Sequence, residues 1–272
     1  MKNSTKWLIA AGVAAVAVPA MMLAPDVASR REKAEFKGRN YAHRGLHSRD
    51  KTVPENSLAA FRLAAEAGYG IELDVQLSKD GQVVVFHDDT LNRVCGVEGR
   101  VDEFDYEELE KFCLCGTGEK IPLFSEVLEL VDGRSTLIVE LKPSKRNKEL
   151  CQKTYDWLKT YRGSVCIESF HPMIVAWFRF HAPELVRGQL AMPAKYYEKQ
   201  SPFMRFMLSN TLFNFIAKPQ FIAYKIGKRP FFVKLAQHLG AMRICWTSHE
   251  PRNEKGMDGV IFEFYKPRAK YK

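Results

Sequence analysis

The chain predicts an α/β fold: a (β/α)8 barrel with a small insertion after its first two strands and an apolar N-terminal helix ahead of it. Three observations predict this. Short β-branched runs recur from residue 40 onward, and helical stretches separate most of them. The length of 272 residues also suits a barrel of about 250.

Taken in order, the expected barrel strands are Tyr41–His43, Ile71–Val75, Leu137–Leu141, Val165–Ser169, Val186–Ala191, Phe221–Tyr224, Arg243–Trp246 and Gly259–Phe262. Ile71–Val75 alternates with period two, so Glu72 and Asp74 share one face and Ile71, Leu73 and Val75 the other. Only a polar turn around Lys79-Asp80-Gly81 precedes Val83–Phe86. A parallel crossover needs about a dozen residues or more, so this run is a hairpin partner outside the barrel count. Helices are expected at 57–68, where the run ends on Gly68, and within 125–131, 151–159 and 174–181. Residues 88–124, rich in Glu and Asp, form the insertion.

Ahead of the barrel, Trp7–Leu23 is a continuous apolar run preceded by Lys2 and Lys6. A membrane anchor and a cleaved signal sequence compete for residues 1–24, and the anchor is preferred because Pro19 and the following Met21-Met22-Leu23 weaken a cleavage site. Arg30, Arg31, Lys33, Lys37 and Arg39 after the run place the domain on the cytoplasmic side of the cell membrane; a start-transfer reading of Lys2 and Lys6 says the opposite. Residues 25–39 read as a charged linker outside the fold, 40–266 as the domain, and 267–272 as a basic tail.

Composition, 46% hydrophobic and 27% charged, excludes wholesale disorder. The formal charge of +9 favours anionic partners, but neither a zinc-ligand spacing nor an aromatic RNA-binding motif accompanies it, so nucleic acid is not an expected partner. Six scattered cysteines read as free thiols of a reducing compartment.

The chemistry concentrates at strand ends. Leu137–Lys142 again places two polar residues, Glu140 and Lys142, at period two. With Glu72 and Asp74 they would meet at the C-terminal mouth of a barrel. Three carboxylates suit a hard divalent cation, Mg²⁺ or Ca²⁺; the competing reading is an ion-pair network in which Lys142 neutralises Glu140. His87-Asp88 follow Val83–Phe86 where that strand should end.

The ordered motifs HRG (43–45), PEN (54–56), ELDV (72–75), KDG (79–81) and VVFHD (84–88) resemble the glycerophosphodiester phosphodiesterases. The resemblance covers roughly 40–265 and implies a TIM barrel with an insertion at this place. It implies metal ligation by Glu72, Asp74 and Glu140, an acid–base pair in His43 and His87, and phosphate-binding cations in Arg44 and Lys142. Glu55 is expected to support the metal cluster or His43, against a simpler role as an acid near a helix N-terminus. Trp246, in a Cys-Trp-Thr resembling the family's WT, would wall the pocket. In the family a neighbouring glycerol hydroxyl is thought to attack phosphorus, giving a cyclic phosphate that water opens. Two imidazoles near neutral pKa would share the proton transfers. Ser248-His249 and Glu263-Phe264-Tyr265 depart from the family's pattern, which leaves the alcohol-side pocket open. His47, His171, His181, His238 and His249 read as surface or satisfied residues.

Residues 195–234 interleave eight basic residues with aromatics and methionines around one acid, Glu198. Two readings stand: a barrel helix with a core-facing apolar stripe, and a segment resting on an anionic membrane surface. The expected substrates are therefore glycerophosphodiesters, with lysophospholipids, cleaved as by a lysophospholipase D, as the alternative. A non-catalytic, membrane-tethered phospholipid-binding barrel is the rival of another class.

Overall fold

In the computed structural model, residues 21–26 and 32–271 are described. Nine strands form one sheet: β1 (Arg39–Ala42), β2 (Gly70–Leu77), β3 (Val83–Val85), β4 (Leu137–Leu141), β5 (Val165–Ser169), β6 (Val186–Ala191), β7 (Phe221–Lys225), β8 (Met242–Ser248) and β9 (Gly259–Phe262). Their order is β1-β9-β8-β7-β6-β5-β4-β2-β3, and pairing of β1 with β2 closes the ring. Every pairing within the ring is parallel, whereas β3 runs antiparallel to β2. The eight-stranded barrel and the excluded hairpin strand are as the sequence predicts.

The connecting helices are α1 (Leu58–Glu66), α2 (Phe124–Val131), α3 (Asn147–Leu158), α4 (Pro172–His181), α5 (Pro202–Ser209), α6 (Asn214–Ala217) and α7 (Phe231–His238). Ser57 caps α1, its hydroxyl accepting from the Ala60 amide at 3.1 Å. Alternation divides the core into two layers. Ile71, Leu73 and Val75 pack outward against Phe61, Ala64, Val127 and Val131. Tyr41, Ile138, Cys166, Phe221, Ile244 and Ile261 fill the lumen together. Two positions beyond Ile138 on the same face stands Glu140, so the lumen is apolar in its depth and acidic at its mouth. The insertion carries a small apolar core of its own around Phe86, Leu91, Val101 and Leu114.

Both flanking segments differ from expectation. Among the described residues of the linker, Lys33 and Phe36 are buried. Phe36 joins the lumen cluster, and its carbonyl accepts from the Tyr41 hydroxyl at 2.9 Å. Asp26 pairs at 3.0 Å with Arg187 of β6, whose side chain is fully buried. A buried guanidinium needs an anion, and this linker acid supplies it. The tail is docked too: the Arg268 carbonyl accepts from Asn40 at 2.8 Å and the Pro267 carbonyl from Tyr69 at 2.8 Å. Charge alone concealed these contacts.

Most of the expected anchor, residues 1–20, lies outside the described residues. Its end, Leu23, is buried against Ala191, Ile222 and Val233. Among the described residues no helix is long and apolar enough to cross a membrane. Of the two readings of 195–234, a fully core-facing stripe is not seen in α5, where Ser209 is buried and Met204, Met207 and Leu208 are half-buried; Phe203 and Phe206 are 69% and 51% exposed.

Candidate active site

Site residues leave the barrel at its C-terminal strand ends, where a parallel barrel presents chemistry. His43 and Arg44 follow β1, His87 follows β3, and Lys142 follows β4. The β1 exit is a sharp turn: Arg44 has φ 53° and Gly45 φ 80°. A Cβ at Gly45 would stand 2.8 Å from Ala60 Cβ, so α1 leaves room for glycine alone there. This turn aims the Arg44 amide at Glu72 Oε2, 2.9 Å away.

Register brings the acids together. Asp74 pairs with Glu140 across β2–β4, and Glu140 with Glu168 across β4–β5. Carboxylate oxygens of Glu72, Asp74 and Glu140 all lie within 4.8 Å of one another. All four acids are buried. Lys142 Nζ contacts Glu140 at 2.8 Å and Asp74 at 3.2 Å, while Arg44 Nε lies 3.6 Å from Asp74.

Two cations do not balance four buried acids, and the acidities show it. Burial pushes Glu72 well up, and the charges of Asp74 and Glu140 add to this. Glu168 is raised likewise by burial, then by Glu72 and Glu140. Burial and Asp74 also raise Glu140 against the pull of Lys142. For Asp74, burial is overcome: Lys142, His87 and Arg44 hold it well below the usual carboxylate range. Glu168 Oε2 is buried without a hydrogen-bond partner. Hard oxygen donors, surplus negative charge and an unsatisfied buried oxygen fit a divalent cation.

Each histidine is backed by a carboxylate. His43 Nδ1 lies 2.8 Å from Glu263 Oε2, and His87 Nδ1 lies 2.6 Å from Asp88 Oδ1. Hydrogen bonds from His43 and His47 keep Glu263 low despite burial, and those from His87 and Arg93 do the same for Asp88. Ionised carboxylates accept, so each Nδ1 donates and each Nε2 is left for proton transfer. Burial pushes His43 down to about 4, although Glu263 opposes this. The expectation of a near-neutral imidazole is corrected at this position.

The expected site residues separate into two groups. His43, Arg44, Glu72, His87, Glu140 and Trp246 line one cavity together with Glu168 and Phe170. Asp74, Lys142 and Glu55 stand behind it. Glu55 touches neither His43 nor the acid cluster; it binds Arg44 at 2.6 Å and Arg93 at 2.7 Å. Its neighbour Asn56 reaches the cluster instead, donating to Asp74 Oδ2 at 2.9 Å. Trp246 walls the pocket as expected, its indole donating to the Ala223 carbonyl at 3.0 Å.

Glu263, Glu168 and Asn56 are the residues that sequence reasoning missed. Glu168 continues the alternation of β5, and Glu263 follows β9 as His43 follows β1. His47, read as incidental, lies 3.5 Å from Glu263 Oε2.

The family model described as "Glycerophosphoryl diester phosphodiesterase family" matches residues 43–266, nearly the whole barrel. The chain belongs to this family. Within it, the chain is 47% identical over 109 residues to a glycerophosphodiester phosphodiesterase of Caldanaerobacter subterraneus, covering 37% of this chain and 44% of that protein. It is 37% identical over 164 residues to one of Bacillus altitudinis, covering 56% of this chain and 66% of that protein. The matches thus span less than two thirds of these relatives' own lengths. An Oleispira antarctica phosphodiesterase, solved with the product sn-glycerol-3-phosphate, superposes with a TM-score of 0.68 at 23% identity over 85% of this chain and 94% of that one. At that identity the likeness speaks for the TIM-barrel fold alone.

Proposed function

We propose that this family member hydrolyses glycerophosphodiesters to an alcohol and glycerol phosphate. The observation that carries the reading is one cavity lined by two carboxylate-backed histidines, an arginine and buried acids. The relatives' names support the same reaction class. Glu72, Asp74 and Glu140 would hold Mg²⁺ or Ca²⁺, which when bound supplies positive charge to the phosphate oxygens.

The chain's own groups do the rest. His43, neutral because it is buried, takes the proton of the attacking hydroxyl at Nε2. His87, in its imidazolium form, gives its Nε2 proton to the leaving alkoxide oxygen. Arg44, facing the cavity, binds the phosphate, while Lys142 keeps Asp74 ionised. Loss of either imidazole is expected to lower glycerol phosphate release from glycerophosphocholine by about 10²–10⁴-fold. Undiminished turnover in both His43→Ala and His87→Ala would contradict the assignment.

The apolar run Trp7–Leu23 belongs to the proposal as a membrane tether, supported by its sequence alone. Release of the full-length protein from membranes by an alkaline wash would contradict the tether.

A further inference from the structure

Three histidines converge on one carboxylate, and the proposed reaction uses only one of them. Glu263 Oε2 lies 2.8 Å from His43 Nδ1 and 3.5 Å from His47 Nε2, while Glu263 Oε1 lies 3.7 Å from His249 Nε2. These residues follow β1, β9 and β8, which stand consecutively in the ring. Donor atoms of His43, His47 and Glu263 all lie within 4.8 Å of one another. Phe264 packs against both outer imidazoles, edge-on to His47 with centroids 4.9 Å apart and parallel to His249 at 6.2 Å.

Hydrogen bonding accounts for His43 but not for His47. The His47 side chain is only 8% exposed, and its Nε2 is buried without a hydrogen bond of good geometry. At 3.5 Å its contact with Glu263 Oε2 stands at the outer edge of hydrogen bonding. A buried ring nitrogen aimed at a carboxylate and left short of a partner is placed to take a ligand. The donors also differ from those of Glu72, Asp74 and Glu140. Carboxylate oxygens alone suit Mg²⁺ or Ca²⁺, whereas two imidazoles with one carboxylate suit a softer ion of the Zn²⁺ class. Such an ion bonds imidazole nitrogen and carboxylate oxygen at about 2.0–2.2 Å, a reach that small side-chain rotations supply here.

We infer that His43, His47 and Glu263, with His249 as a fourth donor, form a second metal site for a transition ion such as Zn²⁺, and that its occupancy switches the enzyme off. The blocking role rests on the phosphodiesterase reading; the binding does not. On binding, the Nδ1 lone pair of His43 passes to the ion and the Nδ1 proton leaves to solvent, with no change of oxidation state. The ion's charge then sits across the ring from Nε2, the atom that must accept the hydroxyl proton. Glu263, drawn to the ion, no longer orients that ring. His43 lines the catalytic cavity, so one imidazole joins the two sites.

The test adds Zn²⁺ to the full-length protein in excess Mg²⁺ and Ca²⁺, which occupy the carboxylate cluster. Binding is measured by calorimetry, Co²⁺ serves as a visible probe of nitrogen ligands, and glycerophosphocholine turnover is followed beside both. One Zn²⁺ per chain is expected, with turnover falling to background as the site fills. Co²⁺ should give the visible bands of a nitrogen-ligated ion. His47→Gln should weaken zinc binding by about 100-fold and, independently, His249→Ala by about tenfold. Inhibition, referred to each variant's own zinc-free rate, should shift by the same factors. Absence of zinc binding in excess Mg²⁺ and Ca²⁺ overturns the inference, as does unchanged affinity in both variants. Inhibition relieved in proportion to added Mg²⁺ or Ca²⁺ also overturns it, since zinc then occupies the carboxylate cluster. Zinc held through His47 at undiminished turnover overturns the blocking role. Zinc held through His47 by protein that hydrolyses no diester supports the site and counts against the phosphodiesterase reading instead.

Discussion

His43 Nδ1 donates to Glu263 Oε2 across 2.8 Å, joining the first residue after β1 to the first after β9. These strands are neighbours in the ring, and the His43 amide also bonds to the Phe262 carbonyl at 2.9 Å. The carboxylate thereby fixes both the tautomer and the direction of the imidazole. Glu263→Gln keeps the shape but removes the charge. It is expected to lower kcat by about 10²-fold with KM little changed, measured on glycerophosphocholine. An unchanged kcat would show that Glu263 does not position His43.

The same burial sets a pH dependence. His43 is pushed down to about 4 from 6.5, so its neutral, proton-accepting form persists into mild acid. The acid limb of kcat/KM is therefore expected well below pH 6.5, near 4. A limb near 6.5 that vanished in His43→Ala would refute this environment.

Asn56 touches the acid cluster through Asp74, donating at 2.9 Å. Orienting partners of this kind are worth about 10–100-fold in metal affinity. Asn56→Ala should raise the metal concentration for half-maximal activity by that factor, read from titrations with Mg²⁺ or Ca²⁺. No change in the titration midpoint would separate Asn56 from the metal set.

Glu55 makes a prediction about stability. Although burial opposes it, Arg93 and Arg44 hold Glu55 down to about 2, below the ordinary 4.5. A folded value below the unfolded one means that ionised Glu55 favours the fold above about pH 4.5, and this is lost as pH falls toward about 2. Glu55→Gln should cost about 2–3 kcal/mol at neutral pH. The gap between wild type and variant in urea melts should shrink below pH 4.5. A gap that stays constant down to pH 2 would contradict the pairing.

The barrel was legible because its strands obey a period of two and its hairpin turn is too short for a crossover. Glu72, Asp74 and Glu140 were readable for the same reason, since alternation alone puts them on one face. That rule also reaches Glu168 in Val165–Ser169, but the residue carried no motif and was passed over. Glu263 was hidden differently: it departs from the family's pattern, and its partner His43 lies 220 positions earlier in the chain. Only ring closure brings them together. The linker was misread because charge density suggests solvent, whereas Asp26 answers a buried arginine far along the chain. Pairings that depend on closure leave little trace in local composition.

In the proposed reaction, buried acids at the barrel mouth hold a divalent cation for phosphodiester hydrolysis. Glycerol phosphate release from glycerophosphocholine, measured after chelation and again after restoring Mg²⁺ or Ca²⁺, tests it most directly. Loss to background is expected, with recovery in at least one of the two ions and none in Glu72→Gln. Full turnover by protein shown to be metal-free by mass spectrometry would contradict it.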